Sequence, residues 1–130
     1  MRYLLIHLPL QTVSELNRRD HWRVVARRKQ VQKQAVAVIL RAEWGHCRGP
    51  WTAPLTVTLT RIGPRMLDSD NLQSALKYCR DEVARWLGLD DADPLLVWVY
   101  GQRTGRSLRK GVPYYAVEIQ LGEESPEATP

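Results

Sequence analysis

At 130 residues the chain suits one domain with a buried core and is too short for two. Apolar residues are 44% and charged residues 25%, ordinary for a soluble globular protein, and no apolar run approaches the ~20 residues that would cross a membrane. The net charge of +5 is split unevenly: residues 1–65 hold 12 Lys/Arg against 3 Asp/Glu, whereas residues 66–130 hold 7 against 11, so the first half is built to meet an anion such as a phosphate backbone.

Tyr3 to Leu8 is a short apolar run stopped by Pro9 and reads as a first strand. The Leu4 to Leu10 stretch is too short for a secretory signal and lacks a cleavage site, which makes the cytoplasm the expected compartment. From Arg23 to about Trp44 there is no Gly or Pro, and Val24, Val31, Ala35, Val38, Ile39 and Ala42 recur at helical spacing, which predicts a long amphipathic helix. Leu55 to Thr60 alternates apolar with β-branched polar residues, the pattern of a strand with one buried face, and Gly63-Pro64 ends it. Asp70 or Ser69 is the expected cap of a second helix whose apolar face is Leu72, Ala75, Leu76, Cys79, Val83, Trp86 and Leu87, with Gly88 as the stop.

Leu95 to Tyr100 and Tyr114 to Leu121 predict two further strands, joined through the basic segment Arg103 to Gly111. The expected fold is α/β (α+β) in the order β-α-β-α-β-β, a small mixed sheet of about four strands covered by two helices. A single domain over residues 1–121 and a polar, disordered tail over 122–130 complete the expectation. Cys47 and Cys79 lie in no metal-like spacing and read as buried thiols.

Five aspartates bracket the second helix: Asp68 and Asp70 at its start, Asp90, Asp91 and Asp93 just past its end. Carboxylates suit a helix N-terminus but are unfavourable beside the negative C-terminal end of the backbone dipole, so the second cluster needs a reason. A hard divalent cation such as Mg²⁺ is the simplest one. A calcium loop starting at Asp68 fails, because its sixth position is Gln73 rather than Gly and its twelfth is Cys79 rather than Glu.

Steps of ~100° per residue place Asp70, Ser74, Lys77 and Asp81 on one stripe opposite the apolar face. Taken singly, each aspartate is better read as a cap or a solvated turn; together with a lysine and a basic first half they match metal-dependent phosphodiester hydrolysis. A straight helix rises ~26 Å from Asp70 to Leu87, and four further residues return at most ~14 Å. One subunit is therefore not expected to join both clusters on one ion, whereas a two-fold dimer with antiparallel helices would form two composite sites.

The run Asp68-Ser69-Asp70-Asn71-Leu72, then Asp81, Leu89-Asp90-Asp91 and Tyr114-Tyr115-Ala116-Val117-Glu118-Ile119, resembles the RusA family of Holliday junction resolvases. The likeness extends upstream to Leu8-Pro9-Leu10 and to Ser14 and Asn17, and covers most of the chain, from about Tyr3 to Leu121. It implies a Mg²⁺-dependent homodimeric endonuclease, often prophage-encoded, that nicks four-way DNA junctions symmetrically in recombination and repair, with no organic cofactor. On that resemblance Asp68, Asp70 and Asp91 are the metal and catalytic carboxylates and Asp90 a helper. The family's lysine position holds Ser74 here, and Lys77, nearly a turn later on the same face, is the expected substitute.

Arg18, Arg19, Arg23, Arg27, Arg28, Lys29 and Lys33 are the expected DNA-binding residues, crowded into one loop and the first turns of the first helix. Arg103, Arg106, Arg109 and Lys110 form a second candidate patch. Trp22 reads as a loop anchor rather than a base-stacking residue. His21 is a conceivable phosphate contact or proton donor, while His7 and His46 have no companion arrangement in the sequence. The alternatives are a non-catalytic dimeric DNA-binding protein on the same scaffold, a nuclease for other branched DNA, and a purely structural dimer.

Overall fold

A computed structural model describes residues 3–16, 19–45, 54–105 and 111–123. The elements follow the expected order: β1 (Tyr3–Leu8), α1 (Trp22–Trp44), β2 (Leu55–Gly63), α2 (Ser69–Leu87), β3 (Leu96–Thr104) and β4 (Ala116–Glu123). They form one four-stranded mixed sheet in the order β1-β4-β2-β3, with β2 and β3 parallel and the other pairings antiparallel. The parallel pair is the one joined by a helical crossover, α2, as a parallel connection demands. β4 runs two residues past the expected strand end, so Gly122 and Glu123 belong to the sheet rather than to a tail. Cys47, His46, the expected tail from residue 124 onward, and Arg106, Arg109 and Lys110 lie outside the described residues.

The core lies between the helices and one face of the sheet. Val57, Leu59, Val117 and Ile119 meet Leu76, Cys79 and Val83 of α2 and Val36 and Leu40 of α1, all fully buried. The expected face of α2 is the observed one except that Trp86 is only half-buried, and Tyr78, Glu82 and Ala84 are added. Burial pushes the Cys79 thiol up to about 12, consistent with a packing role rather than a reactive one.

The face of α1 differs from expectation. Gln32, Val36 and Leu40 are buried, whereas Val24, Val31 and Val38 are 49 to 62% exposed. Small valines interspersed among polar residues on both sides define no single stripe, and the larger Leu40 with Val36 sets which way the helix rolls onto the sheet. Trp22 is likewise no anchor: its ring is 67% exposed, with His21 stacked at 5.6 Å and the Arg23 guanidinium 5.2 Å from its centre. His21 caps α1, its Nδ1 accepting from the Arg23 N–H at 3.1 Å.

On the other sheet face His7 has the companions the sequence does not reveal. Its register partner Glu118 lies 3.0 Å from Nδ1, and the Tyr114 hydroxyl is bonded to Nε2. Arg103 donates to the same Glu118 at 2.5 Å. That bond and the histidine pull the Glu118 carboxyl down to about 2, so its contribution to stability is complete above about pH 4.5 and is lost as pH falls toward 2. Glu118→Gln is expected to cost on the order of 2 kcal/mol at pH 7, after discounting for the half-exposed arginine, and progressively less on acidification. Urea unfolding of both proteins between pH 7 and 3 checks this, and a gap that does not narrow with falling pH refutes it.

Candidate functional site

The segment entering α2 is held by the sheet. Gln102 of β3 brackets Leu67 with its side-chain amide, Oε1 accepting from the Leu67 N–H at 2.9 Å and Nε2 donating to the Leu67 carbonyl at 2.7 Å. Arg61 of β2, 6% exposed, donates to the Arg65 carbonyl at 2.7 Å, and burial lowers its pKa. A β-carbon at Gly63 would sit 2.7 Å from that guanidinium, so glycine leaves room for it. Residues just before the helix are therefore placed by two strands.

Asp68, rather than Asp70 or Ser69, is the N-cap of α2. A β-region backbone at position 68 lets the side chain turn back, and Oδ1 accepts from the Asn71 N–H at 2.9 Å. Asn71 Nδ2 also donates to both Asp68 oxygens, at 3.0 and 3.1 Å, and these Asn71 contacts hold the carboxyl below its usual range. Asn71 Oδ1 in turn accepts from Ser14 Oγ at 2.6 Å, and the Glu15 N–H donates to Ser74 Oγ at 3.2 Å. The loop after β1 is thus tied along the first turns of α2.

Arg28 anchors the same loop. Its Nε and Nη2 donate to the two Glu15 oxygens at 2.6 and 2.7 Å, and Nη2 reaches Asp20 at 2.9 Å, which raises the guanidinium pKa further. Of the expected DNA-binding residues, Arg28 is committed to this internal contact. Arg18 lies outside the described residues, while Arg19, Arg23, Arg27 and Lys29 are exposed and Lys33 is half-buried.

At the far end of α2, Gly88 adopts the left-handed conformation (φ 72°) that reverses the chain, its N–H returning to the Ala84 and Arg85 carbonyls. Two of the three aspartates beyond it have local work: Asp90 Oδ1 accepts from the Ala92 N–H and Asp93 Oδ1 from the Leu95 N–H, both at 2.9 Å. Asp91 instead folds back against α2. Arg80 Nε is 3.2 Å from its Oδ2, without hydrogen-bond alignment, and Arg80 Nη2 and Trp98 Nε1 donate to its backbone carbonyl at 3.3 and 2.8 Å. Arg80 also donates to the Tyr100 hydroxyl at 2.6 Å and lies 4.8 Å over the Trp98 ring.

These constraints bring Asp70, Ser74, Lys77 and Asp81 of the expected stripe together with Asp91 and Glu15 around one open cleft of about 760 Å³. Asp68 and Asp90 are not among its lining residues. Asp81 is 3.7 Å from Lys33, and among the described residues Lys77 has no carboxylate partner. Arg80 and Tyr100 also line the cleft, and nothing in the sequence singles them out, because their role depends on where the chain returns after Gly88.

Among the described residues, no three His, Cys, Asp or Glu groups lie close enough to hold a metal ion. The donors facing the cleft are all hard oxygens, and Mg²⁺ ordinarily takes one or two protein carboxylates and completes its shell with water and phosphate. Asp70 and Asp91 are carboxylates of that kind. No helix of the described residues is long and apolar enough to cross a membrane. No protein-family model matches the chain, and no curated protein is significantly similar to it.

Proposed function

We propose that this chain is a Mg²⁺-dependent endonuclease of branched DNA, with the four-way junction as its substrate and a two-fold dimer as its working form. The observation that carries this is that Asp70 and Asp91, from opposite ends of α2, line one cleft that also holds Lys77. Magnesium, when bound, supplies water activation and neutralises charge developing on the phosphodiester. Asp70 and Asp91 supply oxygen donors, and Lys77 offers a cation to the phosphate or the leaving oxygen. Ser14, Asn71 and Ser74 hold the cleft wall in place.

The dimer rests on the number of acids one subunit gathers. Among the described residues no three carboxylates group around an ion, and a second chain packed antiparallel would add the ones the first does not bring. Gel assays of synthetic junction, flap and duplex DNA, with Mg²⁺ and with chelator, test the proposal. The expected result is paired nicks in the junction only, abolished by chelator. No metal-dependent nicking of any substrate, with DNA binding intact, would favour the non-catalytic reading, for which Ser74 at the family's lysine position is the specific observation.

A further inference from the structure

We infer that the groove between α1 and α2 binds a single nucleic-acid strand. This groove of about 760 Å³ is lined by Lys29, Lys33 and Arg41 of α1 and by Arg85 of α2, with Glu82 its one acid among the described residues. Lys29, Lys33 and Arg41 fall on one ridge of α1, four and then eight residues apart, a row of roughly 18 Å. Neither Lys29 nor Arg41 has a carboxylate partner among the described residues. Arg85 is 83% exposed and 4.0 Å from Glu82, so it too is largely uncommitted.

Ala37 and Trp86 also line the groove. Trp86 is fixed: its Nε1 donates to the Gly45 carbonyl at 2.8 Å, and it meets Trp44 edge-on at 5.3 Å. A basic row beside a rigid aromatic ring is the combination that holds single strands, the cations following the backbone and the ring offering a face for a base.

The groove adjoins the acidic cleft. Lys33 lines the groove and Asp81 the cleft, and the 3.7 Å pair they form is the wall between the two. The choice of nucleic acid as ligand rests on the proposed function, but binding is measured without metal, so the two stand or fall separately.

The probe is a labelled single-stranded DNA 20-mer, followed by fluorescence anisotropy in chelator between about 50 and 200 mM salt. The double variant Lys29→Gln/Arg41→Gln is expected to bind at least about tenfold more weakly at low salt, and to flatten the log–log salt slope by about 1.4, the value for two lost phosphate contacts on a single strand. Arg85→Glu, from the opposite wall, should weaken binding as well. Arg65→Gln, an exposed cation outside the groove, should change affinity less than about threefold.

The inference is overturned if the groove variants bind as the parent does, if Arg65→Gln loses as much, or if duplex of equal length binds as tightly with the same sensitivity to the groove changes. Cleavage that persists with no groove effect would leave the nuclease proposal intact and remove this one. Groove-dependent binding without any cleavage would do the reverse.

Discussion

Asp70→Asn is expected to lower metal-dependent junction cleavage by at least about 10²-fold while leaving junction affinity in chelator unchanged. Asn keeps the shape of the side chain and removes the charge, so a cation loses an anionic donor while the phosphate backbone loses nothing that attracted it. The fold should be nearly indifferent, because Asp70 is an exposed first-turn residue whose interaction with the helix dipole amounts to about 0.3–1 kcal/mol. Asp68→Asn is the informative partner. Asn caps a helix about as well as Asp, so stability should hold, and activity then reports whether the cap carboxylate also serves the ion. Single-turnover assays on both variants check this, and undiminished cleavage by Asp70→Asn would falsify the assignment of the cleft.

The stripe on α2 was legible because helical periodicity alone decides which side chains share a face, and Asp70, Ser74, Lys77 and Asp81 do line one cleft. The order of elements along the chain was legible for a similar reason: alternation in Leu55 to Thr60 and the glycine stops at Gly63 and Gly88 are local signals, whereas the sheet order β1-β4-β2-β3 was not. The face of α1 was not, since its valines and its Val36-Leu40 pair compete at nearly equal strength, and contact with the sheet decides between them. The cap at Asp68 was misplaced by up to two positions because Asp68, Ser69 and Asp70 are all good capping types, and the choice falls to the strand residues Gln102 and Arg61 that fix the preceding chain.

Long-range polar contacts were the least legible. His7 and Glu118 are 111 residues apart and meet only through the β1–β4 register. Asp91 raises the same issue within the cleft. Its sequence neighbours Asp90 and Asp93 satisfy themselves in local turns, which supplies a structural reason for two of the three acids that follow α2. Only Asp91 is drawn back to the helix, and what draws it is Arg80, a residue that looks like any other surface cation on α2.

Arg80→Ala is therefore expected to reduce cleavage at saturating Mg²⁺ by about 10²-fold and stability by on the order of 2 kcal/mol. The variant loses a bond to Tyr100, the charge beside Asp91 and the stack on Trp98 together, while the Trp98 bond to the Asp91 carbonyl still tethers the turn. Arg80→Lys should rescue little, because one ammonium cannot span a phenol, a carbonyl and a carboxylate as the planar fork does. A Mg²⁺ titration separates positioning from competition. If Arg80 orients Asp91, added metal cannot restore the rate. If it merely occupies Asp91 in place of the ion, the alanine variant will reach full rate at lower Mg²⁺ than the parent, and the positioning role is wrong.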